Sequence, residues 1–264
     1  MRAEAKVAIG LDVGDRYTHV AVVDEVGELL SPIRHRGQEA QQHLAVLRAR
    51  DVVVGVRTAL INHARGAVKA VGARLPRCSA PSFVDEVSDQ VPASLDAALA
   101  PVLEMIGELT ARIRAYDREI ERLCGEHYPE TARLRQVGGV GALTALAYVL
   151  VLEDPERFER SRAVGPYLGL RPKRADSGES RPQLRISKGG DELLRKLLVQ
   201  SAHYILGPFG PDTDLRRWGE HLAVRGGKNA KKRAVIAVAR KLAVLLHRLW
   251  ISGAEYEPLR HRHA

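Results

Sequence analysis

The sequence predicts a mainly α-helical protein that begins with a short β-hairpin, continues through a long coiled-coil helix and ends in a helical domain. Three observations predict this fold class. Residues 6–24 hold two short β-rich runs, residues 95–123 hold an apolar heptad pattern, and the C-terminal half alternates glycine-rich turns with apolar helical runs. An apolar fraction of 45% over 264 residues is ample for a core.

Residues 1–30 are predicted to form the hairpin. The runs "KVAIGLDVG" and "YTHVAVVD" favour two strands, and "EVGE" supplies turn residues beyond them. Two strands are marginal by themselves unless they pack on helices or pair with another copy.

Asp12 ends the first strand, where metal-dependent nucleases of the RNase H-like kind place their first carboxylate. One carboxylate does not suffice for Mg²⁺, which needs several oxygen ligands.

Residues 31–91 are predicted to be a helical segment and a linker. The apolar positions of residues 38–71 recur at helical spacing, and "GARLPRCSAPSF" then breaks the pattern with one glycine and two prolines. The linker contains an acidic run that we interpret as a solvated surface: Asp85, Glu86 and Asp89.

Residues 92–125 show the most regular pattern and are predicted to form a coiled-coil helix. Nine apolar residues follow one another at alternating spacings of four and three: Leu95, Leu99, Val102, Ile106, Leu109, Ile113, Tyr116, Ile120 and Leu123. A seam this regular packs either on a second chain, as a dimer, or on a returning helix of the same chain.

Residues 126–264 are predicted to form a helical C-terminal domain. A glycine-rich turn leads into an apolar helix within residues 134–152, and a Gly/Pro/Arg-rich loop region covers residues 162–190. Asp191 then caps the amphipathic helix "DELLRKLLVQSAHYIL". Residues 225–250 are a basic turn and an almost wholly apolar helix.

The charge is divided unevenly along the chain. Residues 1–156 carry 18 Lys and Arg against 22 Asp and Glu, whereas residues 157–264 carry 23 against 10. The basic half is the candidate binder of a polyanion, because neutralising phosphates releases condensed counterions. Its candidate nucleic-acid contacts are Lys173, Arg174, Arg181, Arg185, Lys188, Lys228, Lys231, Lys232 and Arg233.

The turn "VGGVGALTA" has the pattern of a helix-hairpin-helix. Small residues let a turn approach a phosphate, and the next helix aims its first N–H groups at it, so Gly139, Gly141 and Thr144 are candidate contacts. Such contacts position DNA without reading its sequence. An ordinary glycine-rich helix connection is the alternative.

Ser177 stands beside Gly178 among several arginines and lysines. A serine hydroxyl is a poor nucleophile unless its proton is removed and its target is charge-neutralised, and clustered guanidinium groups suit a phosphodiester under attack. A Ser-Gly pair in a loop is also commonly only a turn.

Two cysteines are too few and too far apart for a disulfide framework, and no apolar run of about 18 residues or secretory signal is present. We therefore expect a cytoplasmic protein.

Several stretches of the chain together resemble the Piv/MooV-type DEDD transposases of the insertion-sequence one-hundred-ten group, and the likeness covers nearly all of residues 31–264. The matching stretches are "IGLDVGD", "RTALINHARGAVKAVGARLP", "QVGGVGALTALAYVL", "RFERSRAVGPYLGLRPKRADSG", "LRISKGGDELLRKLLVQSAHYILGPFGPDTDLRRWG" and "KKRAVIAVARKLAVLLHRLW". Long ordered matches of this kind are more specific than any single motif.

The resemblance implies a RuvC-like N-terminal domain with four acidic residues and Mg²⁺, a coiled coil, and a C-terminal transposase domain with a nucleophilic serine. On it, Asp12 matches the first acid and Ser177 the serine that attacks DNA. Such proteins excise and insert their element, and in characterised branches a structured RNA guides the choice of DNA.

The chain departs from the family pattern after the hairpin, which "VGELLSPIRHRG" joins directly to the next helix. The middle of the RuvC-like domain is therefore expected to be deleted, with three of the four acids, leaving residues 1–30 as a remnant and activity impaired. The alternatives are a non-catalytic DNA- or RNA-binding regulator and a decayed transposase remnant. Homo-oligomers through the coiled coil are expected.

Overall fold

The computed structural model describes two compact units, residues 1–38 and 39–264. The residues described are 8–13, 18–23, 36–173, 175, 177, 184–227 and 229–260. In the first unit, β1 (Ala8–Val13) and β2 (Thr18–Val23) pair antiparallel, with Asp12 opposite His19.

The described part of the second unit is helical, as the sequence predicts. Its helices are α1 (Gln38–Ala70), α2 (Phe83–Val87), α3 (Asp96–Glu126), α4 (Thr131–Leu134), α5 (Ala142–Leu152), α6 (Val164–Tyr167), α7 (Glu192–Leu206), α8 (Asp214–Val224) and α9 (Ala230–Ser252). Short 3₁₀ turns cover Ser88–Gln90, Ala93–Leu95, Pro155–Arg157 and Ser161–Ala163. Among the residues described, no helix combines the length and apolarity that a membrane span requires.

Helices α1 and α3 form an antiparallel helical hairpin within the chain. The start of α1 and the end of α3 share one apolar cluster, which includes Leu44 and Leu123, while the other two ends share a second cluster, which includes Ile61 and Ile106. The heptad seam of α3 therefore packs on α1 of the same chain, which is the second of the two alternatives left open by the sequence.

Polar groups cross the middle of this α1–α3 hairpin. Arg50 donates from Nε to Asp117 Oδ1 at 2.6 Å, and Arg57 donates to Thr110 Oγ1 at 3.2 Å. Arg57 is only 7% exposed, and its Nε has no partner. Burial and the neighbouring Arg50 lower the pKa of Arg57. The antiparallel pairing of α1 with α3 in this register brings these polar groups together. A uniform apolar seam does not by itself specify that register.

The predicted linker after α1 is folded onto the α1–α3 hairpin. Phe83 and Val87 of α2 are fully buried in its second apolar cluster. The acidic residues Asp85, Glu86 and Asp89 are exposed, which agrees with the solvated surface predicted for them.

The core of the C-terminal region lies between α5 and α9. Every residue of α5 from Thr144 to Leu152 is buried, and Tyr148 donates its hydroxyl to the carbonyl of Ala243 at 2.6 Å. His247 of α9 is fully buried, with Nε2 at 2.9 Å from the Pro155 carbonyl and Nδ1 at 3.0 Å from the Ser161 hydroxyl. Burial lowers the pKa of His247, so the ring is held neutral.

Candidate nucleic-acid interface

Ser177 follows the first arm of a short two-stranded ribbon by a few residues. The two arms of the ribbon are joined by the bonds Lys173 N to Arg185 O at 2.8 Å and Ser187 N to Arg171 O at 2.9 Å. Pro172 and Ile186 form an antiparallel bridge between these bonds. Ser177 is exposed, as a nucleophile for an external substrate must be.

The base of the ribbon depends on glycine. Gly169 has φ of +68°, and a Cβ there would lie 2.3 Å from the carbonyl oxygen of Gly189. Gly190 has φ of +71°, and a Cβ there would lie 2.2 Å from the Tyr167 oxygen. Arg195 of α7 donates to the carbonyls of Leu168 and Gly189 at 3.3 and 2.7 Å, which ties both arms to the helix. The base of the ribbon is thus held in place by backbone packing and by α7.

Both arms of the ribbon line a large groove, here called the basic groove. Its volume is about 1450 Å³, and residues of α8, α9, the C-terminal segment and the 3₁₀ turn at Arg162 also line it. Four of the cations predicted from the sequence line it: Arg185, Lys188, Lys232 and Arg233. Two carboxylates, Asp214 and Glu257, also line it.

Six further cations of the basic groove were not singled out by sequence reasoning: Arg162, Arg225, Arg240, Lys241, Arg248 and Arg260. Three of them lie on α9 at positions that recur every seven or eight residues with Arg233. This spacing keeps their side chains on one helical face, over about 22 Å from Arg233 to Arg248. Helical periodicity of the charges in α9 is the sequence signal that identifies these three, whereas Arg162, Arg225 and Arg260 lie outside α9.

The floor of the basic groove is apolar. It includes partly buried side chains of α8 and α9: Trp218, Leu222, Ile236, Val244 and Leu245. Lys241 lies over the Trp218 ring, with Nζ 4.3 Å from the ring centroid. Burial lowers the pKa of Lys241. The basic groove therefore combines a cationic rim with an uncharged bottom.

The glycine-rich turn forms a second surface, between α4 and α5. Gly141 is the N-cap of α5 and supplies no side-chain cap, and open space surrounds its Cα. Gly141 and the first turn of α5 line a cavity of about 480 Å³, together with Arg135 and Gln200, and the first N–H groups of a helix have no partner within it. Thr144 lines this cavity but is only 7% exposed. The arrangement suits a phosphate.

The glycines of this turn are needed for two different reasons, close packing at some positions and open space at another. Gly139 has φ of +87°, and a Cβ there would lie 2.9 Å from the Tyr204 ring and 3.2 Å from the Ser201 carbonyl oxygen. At Gly138 a Cβ would lie 2.8 Å from Pro211. Both positions are therefore required for packing on the region of α7, and Gly141 is the position that leaves room for a ligand.

The remaining predicted residues have different placements. Lys173 is exposed on the ribbon and Lys231 is exposed on α9, but neither lines the basic groove. Arg174, Arg181 and Lys228 lie outside the described residues. Asp12 lies on β1, for which only the backbone is described. Within the described residues, no group of three or more His, Cys, Asp or Glu side chains fits a metal ion.

Comparison with known proteins identifies related sequences. Residues 131–213 match the family described as transposase IS116/IS110/IS902. The chain is 33% identical over 217 residues to a transposase for insertion sequence element IS1111A of Coxiella burnetii. It is 29% identical over 234 residues to a probable family 20 transposase of Pseudomonas aeruginosa. A transposase for insertion sequence element IS1328 of Yersinia enterocolitica is 31% identical over 172 residues.

The coverage of these alignments is unequal. They include 79%, 86% and 63% of this chain but only 58%, 68% and 51% of the respective relatives. The chain is thus similar to insertion-sequence transposases over most of its own length, and spans between about half and two thirds of theirs. The family match includes both the glycine-rich turn and the Ser177 ribbon.

Proposed function

We propose that this chain is a member of the IS116/IS110/IS902 transposase family that binds DNA in its basic groove and cleaves and rejoins DNA strands with Ser177. The observation that carries the proposal is the position of Ser177. Ser177 is exposed and lies five residues beyond Pro172, a ribbon residue in the lining of a groove that also has ten cations and two carboxylates. Such a groove attracts a phosphate backbone, and its excess of positive charge stabilises a phosphodiester under attack.

The chemical step is a transfer of the phosphoryl group. The hydroxyl oxygen of Ser177 attacks phosphorus while the bond from phosphorus to one sugar oxygen breaks. The serine proton leaves as the new bond forms, and the departing sugar oxygen takes up a proton. The covalent intermediate is itself a phosphodiester, so the number of phosphodiester bonds is unchanged. Attack by a second sugar hydroxyl on this phosphorus rejoins the strand and releases the serine hydroxyl.

The α5 N-terminus is assigned a positioning role. Its N–H groups and the open space at Gly141 accept a backbone phosphate, which fixes the position of DNA without reading its sequence. The basic groove and this surface together make DNA the expected partner, and a structured guide RNA carries the same phosphate backbone.

The role of Mg²⁺ and that of self-association stay predictions. The described residues do not assemble the oxygen ligands that Mg²⁺ requires. Self-association is proposed to use partly exposed apolar residues on the flank of the α1–α3 hairpin, including Val56 and Met105, since the seam itself is occupied within the chain.

A covalent-adduct assay tests the catalytic proposal. The protein is incubated with labelled DNA carrying the ends of the element, its flanking RNA and magnesium, and the products are separated on a denaturing gel. We expect a protein–DNA band that Ser177→Ala abolishes and the matched change Ser187→Ala preserves. A band that persists in Ser177→Ala would overturn the assignment of the nucleophile.

The second candidate is a nucleic-acid-binding regulator without strand cleavage. It is favoured by the same basic groove, because binding requires only the cations whereas cleavage also requires an activated Ser177. The result expected of a regulator is equal, salt-sensitive DNA binding by the wild type and Ser177→Ala, with no adduct in either.

A further inference from the structure

We propose that the basic groove holds an unpaired nucleic-acid strand rather than an intact duplex; this rests on the proposed function of the same groove. The argument starts from its floor. Partly buried apolar side chains of α8 and α9, including Leu222, Val244 and Leu245, line the groove together with its cations. The apolar surface that they leave open to water gains stability when apolar surface of a ligand covers it.

A duplex does not offer such surface to the floor. Its bases are stacked and paired inside, so that only their edges are open in the grooves while their flat apolar faces are covered. An unpaired strand carries both chemistries, since its phosphates are anionic and the faces of its bases are apolar and free to stack on protein side chains. The cationic rim and apolar floor match these two parts.

Charge places the phosphates at the rim of the basic groove. Arg233, Arg240 and Arg248 follow one face of α9 over about 22 Å, a length that accommodates several successive nucleotides. Trp218 lies in the floor with Lys241 over its ring. A base that approaches this pair meets a cation and an aromatic surface together, a combination that proteins use for unpaired strands.

The ribbon connects this inference to the reaction. Pro172 and Ile186 of the ribbon line the same groove, and Ser177 lies five residues beyond Pro172. The segment that carries the nucleophile thus continues along the chain from the lining of the basic groove. DNA is thus expected to be locally unpaired next to the bond that Ser177 attacks, and an element end with a melted flank is the preferred substrate.

The test compares an unpaired probe with a paired one in fluorescence anisotropy. The probes are a labelled 12-nucleotide oligothymidine and a labelled 12-base-pair duplex of mixed sequence, each titrated with the full chain at fixed salt. We expect Leu245→Gln to weaken oligothymidine binding about tenfold, the size of one lost base contact, with duplex binding changed less than twofold. Ile251→Gln is the matched control, because Ile251 is exposed on α9 outside the groove.

Tryptophan fluorescence gives an independent readout. The chain has two tryptophans, and only Trp218 lines the basic groove. Oligothymidine is expected to quench the emission of the wild type and of Trp250→Phe, but not that of Trp218→Phe. Quenching that survives in Trp218→Phe would contradict the inference.

The outcomes separate this inference from the proposed function. If neither probe binds, the proposed function itself fails. If the duplex binds as tightly as oligothymidine and Leu245→Gln alters neither, the groove is a duplex site and only this inference is overturned. If Leu245→Gln instead abolishes self-association in sedimentation without altering either titration, the floor is an interface between copies, which also overturns it.

Discussion

The stem of the Ser177 ribbon supplies the sharpest stability prediction, at Gly169. In Gly169→Ala the new methyl carbon would lie 2.3 Å from the Gly189 oxygen and 2.4 Å from the Gly189 nitrogen. Backbone atoms do not move aside as the end of a side chain does, so the two arms must separate at the base. The substitution also places a Cβ at φ of +68°, which costs about 1 kcal/mol.

Separation of the arms removes backbone hydrogen bonds. The nearest are Lys188 N to Gly169 O at 3.2 Å and Ser187 N to Arg171 O at 2.9 Å. At about 1 kcal/mol for each bond, together with the backbone strain, the free energy of unfolding should fall by about 3 kcal/mol. For a unit of this size that corresponds to a melting temperature lower by roughly 6 to 12 °C.

A matched glycine separates the clash from the strain. Gly72 has φ of +84° with no atom within 4 Å of a built Cβ, so Gly72→Ala should cost only the strain, about 1 kcal/mol. Thermal unfolding followed by circular dichroism measures both variants. Equal melting temperatures for Gly169→Ala and Gly72→Ala would refute the reasoning, since they would show that the close approach at the stem has no energetic weight.

Three further predictions concern buried or capping groups. The pKa of His247 is lower in the folded than in the unfolded state, so the unfolded chain binds a proton at higher pH than the folded chain does. The free energy of unfolding should therefore decrease as pH falls below about 6.5. His247→Gln should flatten that part of the profile of melting temperature against pH. Arg57→Met removes a buried cation whose Nε has no partner, and should raise the free energy of unfolding by about 1 kcal/mol, measured by urea titration. A decrease would mean that the hydrogen bond from Arg57 to Thr110 stabilises the fold by more than the burial of the charge destabilises it. Asp191→Ala removes the side-chain cap that accepts from Leu194 N at 2.9 Å and should cost about 1 kcal/mol, measured against the exposed control Glu192→Ala.

Much of the helical framework could be predicted from periodicity. Helices α1, α3, α5, α7 and α9 are each long or strongly apolar, and the structure confirms them where the patterns lie. Helix α8 was missed, because it is short and rich in charge. Its signals are present in the sequence: Thr213 accepts from Arg216 N as an N-cap, and Leu215, Trp218 and Leu222 follow at helical spacing.

The partner of the α3 seam and the basic groove could not be derived from the sequence. A heptad pattern states that a helix packs, but the choice of α1 depends on long-range pairs such as Arg50 with Asp117. The cations of the basic groove come from separate elements, from Arg162 to Arg260, which only the fold brings together. Gly139 lines the cavity at the start of α5, and its close approach to Tyr204 is a second reason for glycine there that the sequence does not show.

The most direct test of the central claim is the salt dependence of nucleic-acid binding. The wild type is compared with Arg233→Gln/Arg240→Gln/Arg248→Gln in the basic groove, and with Arg74→Gln/Arg77→Gln/Arg118→Gln, exposed arginines outside it. If each groove arginine contacts a phosphate, the slope of log K against log salt should decrease in magnitude by about 2 to 3 in the first variant. It should be unchanged in the second. Equal slopes in the wild type and the groove variant would contradict the claim that nucleic acid binds in this groove.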